Sequence, residues 1–141
     1  MGPVSTVNEF TWPVRVYYES TDAGGVVYHA EYLKFLERAR TEWLRSLGFE
    51  QTALRTDDGV LFVVHSMQIK YVLPAKFNEL LQVKSRLVEL GRSRFVFDQK
   101  LLREDRILNQ AVVEVVCVAD ATFKPTALPT HIRQKFEGVL S

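Results

Sequence analysis

The amino-acid sequence predicts an α+β domain in which one long helix lies against one antiparallel sheet, and three observations predict it. Apolar residues recur at helical spacing in a single long stretch, Ala30 to Leu47. Four β-rich runs follow that stretch with only short separators, and a shorter valine- and tyrosine-rich run precedes it. The order strand, helix, four strands, small helix has one helix to cover one sheet, unlike the alternating units of a parallel sheet.

Residues 1–11 form a polar leader that is expected to be flexible. The first strand is expected over Pro13 to Tyr18, with Pro13 at its start, where a strand tolerates proline. It stops at Ser20-Thr21-Asp22-Ala23-Gly24-Gly25, a cluster of turn formers with a Gly-Gly pair able to take positive φ. In the helix, Tyr32, Leu33, Leu36, Ala39, Trp43, Leu44 and Leu47 share one face, and Gly48 supplies the stop. Glu31, Lys34, Arg38 and Arg45 fill the other face. Phe35 interrupts it, which predicts burial on more than one side and a central helix.

The four later strands are expected at Leu61 to Leu73, Phe77 to Leu90, Arg94 to Arg103 and Ile107 to Ala119. Pro74-Ala75, Gly91-Arg92-Ser93 and Glu104-Asp105-Arg106 are hairpin-length connections, so an antiparallel meander is predicted. The last strand alternates Ala111, Val113, Val115 and Cys117 with the apolar Val112, Val116 and Val118, as if covered on both faces. Pro125 and Pro129 break the chain, and a brief helix is expected around Ile132 to Phe136.

Length and composition bound the function. The chain has 141 residues, 47% of them hydrophobic, which suits one domain, residues 1–141, with a real core. Net charge is +1, so no broad field draws it to nucleic acid, and an anionic ligand has to be met locally. Cys117 is the single cysteine and reads as a buried hydrophobe in a reducing compartment. No signal-like start or apolar run of about 20 residues is present, and a cytoplasmic protein with at most peripheral membrane contact is expected.

One segment carries chemistry: Arg15-Val16-Tyr17-Tyr18-Glu19-Ser20-Thr21-Asp22-Ala23-Gly24-Gly25-Val26-Val27-Tyr28-His29, followed by Tyr32. It resembles the signature of the 4-hydroxybenzoyl-coenzyme A thioesterase family, in particular the branch of short acyl-CoA thioesterases associated with the Tol-Pal system. The likeness runs from about Trp12 to Phe136 and takes in Ala39-Arg40, Pro74-Ala75 and Ala127-Leu128-Pro129. It implies a hot-dog fold, a five-stranded antiparallel sheet wrapped around one long helix, in agreement with the strands read above. It also implies a homodimer joined edge to edge, commonly a dimer of dimers and so a homotetramer, with active sites between subunits and neither metal nor cofactor. The substrate it implies is a short or medium acyl-CoA, with aryl-CoA and acyl carrier protein thioesters as alternatives.

The residues themselves fit thioester hydrolysis, which needs an attacking group or activated water, an oxyanion site and a hold on the leaving group. Asp22 supplies the first, either as nucleophile through a mixed anhydride or as general base on water, and both routes stay open. The turn through Gly25 and Val27 leads into the helix, so backbone N–H groups of Gly25, Val27 and Tyr28, near His29, are the oxyanion candidates. The resemblance supports a catalytic or polarising role for His29. Tyr18 carries a hydroxyl able to orient the acyl group or Asp22. For the phosphates of coenzyme A, Arg92, Ser93 and Arg94 offer two guanidinium groups, amide donors and a hydroxyl; Lys70, Arg103 and Lys124 are further cations.

Each residue has a plainer reading. Asp22 before Gly-Gly is a turn residue when read alone. His29 is a capping or surface residue, and Tyr18 a packed strand tyrosine. His65 and His131 have no companion at metal-ligand spacing, and Glu37 and Glu42 read as helix-surface residues. Two other functions compete. A hot-dog dehydratase pairs a histidine before a Gly-x-Pro turn with an acid on the helix, whereas here the aspartate comes first and no Gly-x-Pro follows. A non-catalytic acyl-thioester binding or scaffold protein is the second, and the presence of Asp22 weighs against it.

Overall fold

β1 (Phe10–Arg15), β2 (Val60–Tyr71), β3 (Leu80–Leu90), β4 (Arg94–Arg103) and β5 (Arg106–Ala119) form one antiparallel sheet, in the order β1-β3-β4-β5-β2. They belong to a computed structural model that describes residues 8–141. Residues 1–7 of the expected leader lie outside the described residues, and Phe10 and Thr11 at its end are part of β1. The first strand therefore starts and ends earlier than the sequence predicts. Pro13 is tolerated inside it because β1 pairs with β3 alone, so its missing N–H removes no bond to a second neighbour. Tyr18–Ser20 forms a 3-10 turn instead of continuing the strand.

The predicted meander holds only in part. β3, β4 and β5 pair in sequence, but β2 pairs with β5, from Val60↔Ala119 to Tyr71↔Asn109. Pro74-Ala75 is thus not a hairpin but part of a crossover from one edge of the sheet to the other side. Phe77 to Glu79, expected as strand, turns instead, with Asn78 at φ 68, a conformation asparagine tolerates.

α1 (Glu31–Ser46) lays Tyr32, Phe35, Leu36, Ala39, Trp43 and Leu44 on the inner face of the sheet. Phe35 is 1% exposed, whereas Leu33, predicted on the buried face, is 41% exposed. The apolar stripe is centred one position from where Leu33 would put it, and full burial of Phe35 contributes about 1.5 to 3 kcal/mol. Gly48, at φ 95, ends the helix; its N–H donates to the Arg45 carbonyl. A short helical piece, α2 (Gln51–Ala53), and a wider turn (Leu54–Asp58) then lead to β2. The sequence pattern did not announce them.

The inner face of the sheet contributes Leu81, Val83, Phe95, Phe97, Leu101, Val113 and Cys117, all buried. α3 (Thr130–Val139) closes one end, its Phe136 ring 5.0 Å from those of Trp43 and Phe95. On the outer face Val112 is 47% exposed, so β5 is not covered on both sides along its whole length.

Candidate active site

The segment that links β1 to α1 is a small two-armed loop. Thr21 and Val27 form an antiparallel bridge, the Asp22 N–H donates to the Val26 carbonyl at 2.9 Å, and the Tyr28 N–H donates to the Ser20 carbonyl at 3.0 Å. Asp22 stands at the start of the tip, and Gly25, at φ 81, closes it as the Gly-Gly pair predicts. A second strip of backbone flanks the loop: Val27 N–H donates to Ala75 at 2.8 Å, and Phe77 N–H donates to Gly25 at 3.2 Å.

Asp22 is exposed. Its Oδ1 accepts the Gly24 N–H at 2.8 Å, an Asx turn that aims the carboxylate and leaves Oδ2 without a partner among the described residues. The turn role and a chemical role are therefore compatible. His29 is exposed too, in a turn just before α1. Its ring lies 4.7 Å from Tyr28 and meets Tyr71 edge-on at 6.5 Å. With Val27, Tyr32, Tyr71 and Pro74 it lines an open hollow of about 300 Å³ at the end of β2.

All three expected oxyanion donors need correction. The N–H groups of Gly25, Val27 and Tyr28 donate to the carbonyls of Asp22, Ala75 and Ser20, so none is free for a ligand. The neighbouring N–H of His29 has no acceptor among the described residues, and it precedes the helix whose positive end strengthens it as a donor. Tyr18 is 78% exposed in the 3-10 turn, its ring 6.0 Å from Phe77; its hydroxyl makes no hydrogen bond to Asp22.

The Arg92-Ser93-Arg94 hairpin lies at the opposite end of the strands, roughly 30 Å from the Asp22 loop within one chain. Arg94 is already paired there, Nε to Glu114 at 2.5 Å and Nη1 to Glu89 at 3.3 Å, while Arg92 is exposed and in no ion pair among the described residues. Of the other cations, Arg103 is held by Glu79 at 3.0 Å. His65 sits exposed at a bulge in β2, and His131 Nε2 lies 2.8 Å from Asp58 Oδ1. Tyr71 and Ala75 carry no sequence signal for the part they play in the loop; only the folded chain brings them to it.

An antiparallel sheet laid around one central helix, with a carboxylate-bearing loop leading into that helix, defines a hot-dog fold. The model of the thioesterase superfamily matches residues 24–109. The acyl-CoA thioesterase YbgC of Haemophilus influenzae is 46% identical over 129 residues, covering 92% of this chain and 95% of that protein. The acyl-CoA thioester hydrolase YbgC of Escherichia coli O6:H1 is 47% identical over 129 residues, 91% of this chain and 96% of its own. Among solved structures, a probable thioesterase from Bartonella henselae superposes with a TM-score of 0.82 at 40% identity, over 86% of this chain and 99% of its own. The chain belongs to the thioesterase superfamily.

Proposed function

We propose that this protein hydrolyses acyl-CoA thioesters with Asp22 as the catalytic carboxylate. The observation that carries the reading is the loop itself. It presents a carboxylate oriented by the Gly24 amide, and it continues into His29, whose ring borders an open hollow. In the hydrolysis Asp22 either takes a proton from the attacking water or attacks the carbonyl itself to give an anhydride that water opens. The His29 N–H serves the oxyanion, in place of the three amides that the fold consumes, and the His29 ring polarises the carbonyl or the water. The departing group is a thiolate, and because a thiol is far more acidic than an alcohol it leaves with little acid assistance. Tyr18, beside Phe77, orients the acyl group.

The acyl group we propose is short or medium. A half-open cavity of about 160 Å³ between α1 and the sheet has that scale, lined by Glu37, Arg40, Thr41 and Gln51 as well as Trp43, Phe62, Phe95 and Phe97, but it sits toward the Val60 end of β2, away from the Asp22 loop of the same chain.

β2 pairs on one side only and is 12 residues long, an edge that a second copy would cover. Antiparallel pairing of two β2 edges turns one chain end for end relative to the other. That brings one protomer's Arg92-Ser93-Arg94 hairpin to the end of the sheet where its partner's Asp22 loop lies. This is the arrangement in which a phosphate grip at Arg92 and Ser93 serves an active site, and a dimer of dimers extends it. The cell compartment we propose is the cytoplasm, with association to the Tol-Pal system as the setting and an acyl carrier protein thioester as the other carrier.

The test is thiol release from short, medium, long and aromatic acyl-CoA esters by the wild type and by Asp22→Asn, with folding and oligomer size checked for both. Loss of general-base catalysis predicts a fall in kcat of about 10² to 10⁴. Binding of acyl-CoA without release of thiol by the wild type would replace this reading with the scaffold one.

A further inference from the structure

Val27 lies five residues after Asp22 and two before His29, so whatever fixes Val27 sets the relation between the two. Its N–H donates to the Ala75 carbonyl at 2.8 Å. Ala75 is itself fully buried, and its own N–H donates at 2.9 Å to the hydroxyl oxygen of Tyr32, on the first turn of α1. Two hydrogen bonds in series thus run from the helix to the loop. Tyr32 is 3% exposed, and its ring packs edge-on against Phe35 at 6.1 Å and lies 5.6 Å from Tyr71.

We infer that Tyr32 is a positioning residue for the reaction: through Ala75 it holds Val27, and with it the spacing of Asp22 and His29. The inference rests on the proposed thioester chemistry and deepens it. The physical reason is that a buried amide has to be paired. With the Tyr32 oxygen in place, Ala75 has one low-energy position, and Val27 is drawn to it. Without that oxygen the Ala75 N–H is stranded in apolar surroundings, and the strip at 74–77 relaxes to find water. The other hydrogen bonds on the loop are those of Asp22 to Val26 and Tyr28 to Ser20 within it, that of the Phe77 N–H to Gly25 from the same 74–77 strip, and that of the Glu31 N–H to the Tyr28 carbonyl at 2.8 Å where the chain enters α1; none of them holds the Val27 amide. Burial also holds the Tyr32 hydroxyl above the ordinary tyrosine range, so it stays a neutral acceptor and donor at working pH.

Tyr32→Phe removes the oxygen and leaves the ring packed. The expected result is a fall in kcat of about ten- to a hundredfold, the size of effect that misplacement by about 1 Å produces, with KM within about twofold of wild type. The double variant Asp22→Asn with Tyr32→Phe should lose no more than Asp22→Asn alone, because Tyr32 acts through the same step. Amide exchange should quicken at Ala75 and Val27 while β4 and β5 keep their protection. An unchanged kcat, a loss expressed only in KM, or fully additive losses would each overturn the inference. If the wild type releases no thiol at all, the hydrolase reading falls, and exchange at Val27 still decides whether Tyr32 anchors the loop. If Tyr32→Phe does not fold, exchange in the wild type decides: Ala75 and Val27 opening together supports the relay, and independent rates overturn it.

Discussion

Arg40 Nη1 donates to Gln99 Oε1 at 2.9 Å, and this pair ties the middle of α1 to the centre of the sheet. The Gln99 amide nitrogen donates to both the Leu36 carbonyl and Ser85 Oγ at 3.0 Å. Gln99 and Ser85 are fully buried, and burial lowers the Arg40 guanidinium from its usual range; an arginine nonetheless stays charged in a folded protein. Gln99→Leu leaves a charged donor and a hydroxyl without partners. It should cost about 3 kcal/mol in urea denaturation, at the upper end for a stranded buried donor because Arg40 is charged. Removing both ends, in Arg40→Met with Gln99→Leu, should cost less than the sum of the single changes.

Gly24 offers a way to disturb the carboxylate without disturbing the fold. A Cβ at Gly24 would come within 3.3 Å of Asp22 Oδ1, and the backbone there does not need positive φ. Gly24→Ala should therefore shift stability by no more than about 0.5 kcal/mol, while thiol release falls about tenfold as the carboxylate is pushed aside. Equal activity in wild type and variant would show that the orientation of Asp22 is not what limits the rate.

Cys117 is fully buried under α1, and desolvation, with a smaller contribution from Asp58, pushes its thiol up to about 11. Its folded value lies above the ordinary value of 9.0, so the native state holds the proton more tightly than the unfolded chain. The stabilisation is complete below pH 9 and is lost as the pH climbs from there toward 11. A thiol reagent at pH 8 should leave the folded protein unmodified and label it stoichiometrically in denaturant. Rapid labelling of the native protein at that pH would mean that the core opens locally at β5.

How far the residues alone announce this architecture depends on the range of each interaction. The period of α1 and the alternation in β4 and β5 are local signals, and they place those elements to within a residue; the start of β3 falls three residues later than expected, because Phe77 to Glu79 turns. The place of β2 is not local. Pro74-Ala75 looks like a hairpin because nothing near it shows that Ala75 is wanted elsewhere, between Tyr32 and Val27. The same holds for the oxyanion donors. The Asp22-to-His29 segment marks itself by its composition, but the carbonyls of Ser20 and Ala75 consume the amides of Tyr28 and Val27, and those partners are visible only after folding.

The exposed edge of β2 gives the last prediction. Val64 lies near the middle of the strand and is 49% exposed in the single chain, next to the bulge at His65. A substitution there that adds charge should disturb the isolated chain little, by about 0.5 kcal/mol or less, as exposed positions do. Across a seam between two β2 strands the same charge would lose its water and find no partner, which is costly for a carboxylate. Val64→Asp should therefore raise the dimer dissociation constant at least about tenfold in sedimentation equilibrium while the thermal midpoint at the lowest concentrations stays close to wild type. Thiol release should fall with the dimer population if, as proposed, Arg92 and Ser93 serve the Asp22 loop across the seam. An unchanged association constant would place the contact between copies on another surface, and the coenzyme would then have to be held by cations near the loop, with Lys76, whose backbone bridges Val26, the first to test.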